Sequence, residues 1–211
     1  MREILAPHLQ GVGYEKVGAR LLGNARARAR RGGIRSWDIV KGDLIRHLAG
    51  DTGCIATLMV DYYALPSTAP NAWPGRALAA ALPLIHRGRS VEQALHADID
   101  ASCAFAARFE PYVLMHEFEA LLFSNCTAFA GSIGHATKAA AFSAIRNEFA
   151  TPEEINDSPI TAPSKRIAGL IPEYRKPLYG IIAAIDIGLE AMRLECPNFD
   201  NWLTRLEARA V

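Results

Sequence analysis

One uncharged run, Cys54-Ile55-Ala56-Thr57-Leu58-Met59-Val60, closed by Asp61, constrains the fold more than any other stretch of this sequence. It falls far short of the roughly 18 to 20 apolar residues needed to span a bilayer. Bounded by Gly53 on one side and an acid on the other, a short apolar run without a polar face predicts a strand buried on both sides in a parallel sheet. A second strand, Tyr112-Val113-Leu114-Met115, follows Pro111. The roughly 50 residues between the two suffice for a right-handed helical crossover, so a parallel pair is expected.

The remaining pattern is mostly helical. Residues 2 to 10 read as the end of a helix with Pro7 inside it, and Tyr14 to Leu22 as a weakly alternating strand after Gly11 and Gly13. Ser36 is placed to cap a helix running to about Ala49, with Trp37, Val40, Leu44 and Leu48 on one stripe. Ser90-Val91-Glu92-Gln93 and Thr151-Pro152-Glu153-Glu154 both read as capping boxes. Leu178 to Glu195 carries apolar residues at 178, 181, 182, 185, 189 and 192, the spacing of a helix with an apolar stripe, and Phe199, Trp202, Leu203 and Leu206 repeat it. The expectation is a single α/β domain over residues 1–211, with a mainly parallel sheet, flanking helices and a helical extension over about 116–211.

Composition narrows the class. With 211 residues, 50% hydrophobic and 21% charged, the chain has an ordinary globular balance. It shows no long apolar span and no secretion signal, and its four cysteines lack the spacing of a zinc site or disulfide framework. A cytoplasmic protein with reduced thiols and no membrane association is predicted. No HExxH, GxSxG, GxGxxG or GxxxxGK[ST] motif occurs, which removes the usual zinc hydrolase, serine hydrolase and nucleotide-loop readings.

In open parallel sheets ligands sit outside the carboxyl ends of the strands, so Asp61 and His116-Glu117 are expected at one crevice. Carboxylates there suit a hard cation, Mg2+ or Mn2+, that activates water and stabilises charge on a phosphoryl group. Asp61 fits equally the role of a turn or cap residue. Glu117 and Glu119 flank a predicted helical stripe of Phe118, Leu121 and Leu122, either as ligands or as boundary residues. His116 suits a ligand, a proton shuttle or a structural histidine.

Ser164, Lys165 and Arg166 open a helix after the polar turn Asn156 to Pro163, where free N–H groups and two cations would take a phosphate or simply cap a loop. Arg26, Arg28, Arg30, Arg31 and Arg35 form a basic segment. It fits the phosphate backbone of a nucleic acid or a solvated loop.

Four stretches together, Arg31-Gly32-Gly33-Ile34-Arg35-Ser36-Trp37, Met59-Val60-Asp61-Tyr62-Tyr63-Ala64-Leu65-Pro66, His116-Glu117-Phe118-Glu119-Ala120-Leu121-Leu122-Phe123 and Glu154-Ile155-Asn156-Asp157-Ser158-Pro159 to Arg166, resemble domain-of-unknown-function family 4276. These are bacterial proteins related by fold to the Toprim group of metal-dependent nucleases and topoisomerases. The resemblance spans essentially the whole chain. It implies a Toprim-like fold and a Mg2+- or Mn2+-dependent phosphodiesterase acting on nucleic acid. On that reading Asp61 and Glu117 hold metal, Glu119 is a further oxygen donor, Lys165 stabilises phosphate and the arginines hold backbone.

Two departures accompany it. Tyr63 stands where Toprim proteins often carry a second aspartate. Similar proteins also begin with a strand and a Val-Glu-Gly-x-Thr-Glu stretch leading into the helix of Arg2 to Leu9, and the sequence given starts inside that helix. A truncated or misassigned start, and a metal site short of one carboxylate, are therefore expected. The alternative the resemblance implies is a non-catalytic regulatory or scaffold partner of an ATPase in a nucleic-acid-processing or anti-phage system.

Overall fold

The computed structural model describes residues 2–20, 34–156 and 161–210. Its helices are α1 (Arg2–Gly11), α2 (Trp37–Gly50), α3 (Arg76–Ala79), α4 (Leu84–Asp100), α5 (Cys126–Ser132), α6 (Ala139–Arg146), α7 (Pro163–Leu170), α8 (Lys176–Glu195) and α9 (Pro197–Glu207). Two strands, β1 (Ala56–Asp61) and β2 (Phe109–Leu114), pair in parallel. The architecture is mixed α/β, and no helix among the described residues is long and apolar enough to cross a membrane. Contacts gather the chain into two compact units, one of residues 19–115 and one of residues 1–18 with 116–211.

The 19–115 unit holds the sheet. Register runs from Ala56 opposite Phe109 to Asp61 opposite Leu114, with α4 in the crossover. Ala56, Leu58 and Val60 are buried, whereas Thr57 is exposed and Met59 half-buried. The expectation of a strand buried on both faces is thus corrected. Period-2 burial is confined to β1, whose buried side chains meet Trp37, Val40, Leu44 and Leu48 of α2 and Val91, Leu95 and Ile99 of α4, whereas every residue of β2 is buried. Arg108 fastens the end of α2 to the entry of β1, donating to the carbonyls of Leu48 (2.8 Å), Asp51 (2.7 Å) and Cys54 (3.1 Å). These are acceptors that a helix end and a loop leave unsatisfied.

β2 begins earlier than the sequence suggests and contains Pro111. Proline lacks the N–H that a ladder needs, and the geometry shows why it is tolerated. Successive N–H groups alternate sides along a strand, so Pro111 faces the same way as Val113. The Val113 N–H points away from β1 and donates to Glu92 Oε1 at 3.0 Å. Pro111 therefore lies on the outer edge, where no ladder bond is lost.

The capping box expected over Ser90-Val91-Glu92-Gln93 does not form. The whole stretch lies inside α4, and the Glu92 carboxylate serves β2 and pairs with Arg89 at 3.2 Å. One turn earlier, a Cβ on Gly88 would stand 2.9 Å from the Val113 carbonyl oxygen and 3.4 Å from Met115 Sδ. Only a glycine lets α4 approach this closely. Gly88→Ala is expected to lose about 2 kcal/mol in urea unfolding, although alanine is the better helix former. An unchanged midpoint would show that α4 and β2 are not in tight contact.

The second unit is helical. Phe123, Phe129 and Phe142 form its aromatic centre, with Phe129 and Phe142 stacked at 4.6 Å. Three further expectations change here and at the amino-terminal turn. No strand forms over Tyr14 to Arg20, because Gly13 turns the chain with φ 125° and the Tyr14 hydroxyl donates to the Leu206 carbonyl at 2.8 Å. Leu21 and Leu22 lie outside the described residues.

Thr151 opens only a 3-10 turn, Pro152–Glu154, and its hydroxyl donates to Glu154 Oε1 at 3.4 Å rather than capping an α-helix. Residues Phe118–Asn125 likewise form a 3-10 helix, whose tighter winding buries Glu119 along with Leu121, Leu122 and Phe123. Back in the sheet-bearing unit, Ser36 takes the N-cap position of α2 without a side-chain cap bond.

Candidate functional site

Asp61 closes β1 at its carboxyl end and is half-buried. It stands at the N-cap position of the 3-10 turn Tyr62–Ala64, yet its side chain makes no capping hydrogen bond there. The capping role left open by the sequence is therefore not the one it plays. Tyr63, in the place of the expected second acid, is exposed. Tyr62 is buried, and Arg76 holds it with bonds to its carbonyl (3.0 Å) and hydroxyl (2.9 Å), its guanidinium 3.8 Å above the ring.

Of the basic segment, Arg26, Arg28, Arg30 and Arg31 lie outside the described residues. Arg35 is half-buried, and its carbonyl accepts the Trp73 indole N–H at 2.8 Å.

The helical unit brings a different set together. Glu117 precedes the 3-10 helix in extended conformation, which turns its carboxylate toward α7 and α8. Its Oε2 accepts the Ser164 N–H at 3.0 Å, and its Oε1 accepts from Lys176 Nζ at 2.9 Å. Glu119, two residues on and buried, places Oε2 3.5 Å from the same ammonium. One lysine thus bridges two carboxylates. Burial raises the Glu117 carboxyl, but hydrogen bonds from Ser164 and the Lys176 charge outweigh it and hold the group below its usual value. At Glu119 burial wins over Lys176, and the carboxyl is raised. Burial lowers the Lys176 ammonium, and the two glutamates more than restore it, leaving it raised.

Two more groups border this trio. The Tyr174 hydroxyl is buried without a hydrogen-bond partner among the described residues, and burial together with Glu119 and Glu117 pushes its ionisation well up, so it stays protonated. His116 is fully enclosed, and burial lowers it to about 4 against the opposing pull of Glu117. A neutral imidazole at pH 7 follows.

The head of α7, where the sequence suggested phosphate, has its donors engaged. Pro163 has no N–H, Ser164 donates to Glu117, and Lys165 N donates to the Ala162 carbonyl at 2.8 Å. The anion at this helix end is Glu117 itself. The Lys165 residue is exposed. Arg166 bonds the Thr161 carbonyl (2.9 Å) and Glu148 (3.1 Å), with its guanidinium over Phe149.

Lys176 is the member of this group that sequence reasoning misses. A signal existed, since a cation in the first turn of a helix opposes the helix dipole and calls for nearby carboxylates.

Glu117 and Glu119 offer hard oxygen donors of the kind magnesium prefers. Lys176 already supplies their positive charge, and among the described residues no group of three or more histidine, cysteine, aspartate or glutamate side chains is placed to hold a metal ion. As arranged, the pair does not fit a divalent centre. Asp61 belongs to the sheet-bearing unit and the glutamates to the helical one.

A family model described as Domain of unknown function (DUF4276) matches residues 1–207. No curated protein and no solved structure matches the chain.

Proposed function

The chain belongs to the DUF4276 family, and we propose that within it this protein serves as a non-catalytic regulatory or scaffold partner of an ATPase in a nucleic-acid-processing or anti-phage system. The observation supporting this reading is the Glu117–Lys176–Glu119 bridge. A catalytic carboxylate pair needs open oxygen ligands for its metal. Here one carboxylate caps α7 and both share a lysine, an arrangement that fixes α7 and α8 to the 3-10 helix.

Manganese titration followed by electron paramagnetic resonance tests the point. Wild-type protein is expected to leave the free Mn2+ signal intact, whereas Lys176→Met uncovers the carboxylates and gains Mn2+ binding that Glu117→Gln removes. Co-expression with an ATPase encoded beside it is expected to yield a stable complex.

A second reading has its own observation. β1 ends in Asp61 at the carboxyl edge of a parallel pair, where open sheets place ligands. On that reading the protein is a Toprim-like phosphodiesterase, using Mg2+ or Mn2+ on nucleic acid. Wild-type Mn2+ binding, with metal-dependent cleavage lost in Asp61→Ala, would establish it and overturn the first.

A further inference from the structure

Helix α8 wears its side chains inside out. The face packed into its own unit carries small residues, Gly180, Ala183 and Ala184, with Ile187 beyond them. Gly180 lies so close to the Phe118 ring that a Cβ would meet it at 3.4 Å. The opposite face carries Leu178, Ile181, Ile182 and Ile185, each between 39% and 55% exposed. A helix apolar on every side is ordinarily covered on every side. Large aliphatic groups at i, i+3, i+4 and i+7 make a seam of the kind that meets another helix.

Charge along the helix indicates what meets it. Arg175 stands exposed at the amino end of the seam, and Asp186 is exposed at its other end, just before Gly188 (φ 76°, ψ 161°) breaks the regular winding. Among the described residues neither has an ion-pair partner. The order opposes the helix dipole, which favours acids at the amino end and bases at the carboxyl end. That disadvantage becomes an attraction against a second helix running the other way.

We propose that α8 is a self-association surface on which a second copy of this chain docks antiparallel, with a two-fold axis between Ile181 and Ile182. In that register Leu178 lies level with Ile185 of the second copy, and Ile181 with Ile182. At roughly 100° per residue, Arg175 and Asp186 project from the same flank of the seam, and a two-fold axis perpendicular to the helices brings like flanks together. Arg175 then falls within about 3 Å, measured along the axis, of Asp186 in the other copy, and the pairing occurs twice. The contact is independent of the partner-module reading, since it uses neither Glu117 nor Glu119.

Sedimentation equilibrium on the full chain tests it. Wild type is expected to show a monomer–dimer equilibrium. Ile182→Asp, at the centre of the seam, should be monomeric, with the thermal midpoint of the monomer preserved because the side chain it replaces is exposed. Arg175→Glu should weaken the dimer roughly tenfold, about 1.4 kcal/mol, and adding Asp186→Arg should restore it. Ile182→Cys should oxidise to a dimer joined by a disulfide at that position, identified by mass spectrometry. A wild type that is monomeric at every concentration, a dimer indifferent to Ile182→Asp, or a charge swap that fails to restore association would each overturn the proposal. So would a monomer whose α8 face is covered by a different protein.

Discussion

A Glu153→Ala variant is expected to lose about 3 kcal/mol of stability, with the loss centred on α9. Glu153 is buried and spends its carboxylate on the first turn of that helix. It accepts the Asn198 N–H (2.9 Å), the Asn198 side-chain amide (3.2 Å) and the Phe199 N–H (3.0 Å). These donors would otherwise be orphaned at a helix beginning, and a negative charge there also satisfies the dipole. A hydrogen bond to a charged group contributes about 1.5 to 3 kcal/mol, and a donor left buried and unmet costs about as much again. Partial relaxation of the turn brings the sum to the value expected. Glu153→Gln keeps an acceptor and should recover part of the loss. Chemical denaturation gives the magnitude, and amide exchange should show early opening of Phe199, Trp202 and Leu203. Uniform loss of protection across the unit, or no loss, would refute the capping role.

The second large effect is a dependence on acid. His116 is lowered to about 4 from its ordinary 6.5, chiefly by burial. Between those values the unfolded chain binds a proton that the folded chain does not, so stability falls as pH falls through that window. Protonation of this one group therefore removes roughly 3 kcal/mol between pH 7 and pH 4. The carboxylates held low, Asp98, Glu117 and Glu207, act elsewhere. Their contribution is intact above their unfolded values, 3.8 for the aspartate and 4.5 for the glutamates, and is lost only below them. Glu119, held high, takes its proton more readily in the folded chain and acts in the opposite sense. A fall in urea midpoint between pH 7 and 5 thus reports the histidine. His116→Gln, neutral throughout, should be less stable at pH 7 yet show no fall across that range. A slope equal to that of wild type would place the acid sensitivity elsewhere.

Much of the fold was legible where local pattern and burial coincide. Trp37, Val40, Leu44 and Leu48 fall on one stripe in the sequence and are all buried, and Phe199, Trp202, Leu203 and Leu206 behave likewise. The parallel pairing followed from two apolar runs and the length between them. What failed to show in the sequence was long-range. Ser90 and Glu92 lie in a stretch that reads as a capping box, but the acceptor that Glu92 provides is used by a strand distant in sequence. The apolar spacing from Leu178 to Ile185 signals a helix without saying which face its own unit needs, because Gly180, Ala183 and Ala184 pack closely enough to claim the interior. Of the candidate site, Glu117 and Ser164 were both singled out, though for separate ligands. Their bond to each other spans 47 residues, and no periodicity records it.

The outer margin of β2 bears on solubility. Pro111 withholds a donor there, Glu92 takes the donor of Val113, and α4 lies against the Val113 carbonyl through Gly88. A passing chain finds no template on that side, so edge-to-edge growth of the kind that seeds aggregates is blocked in one direction. Any strand that lengthens this sheet has to add along β1, and the sheet is in effect polymerisation-terminated at β2.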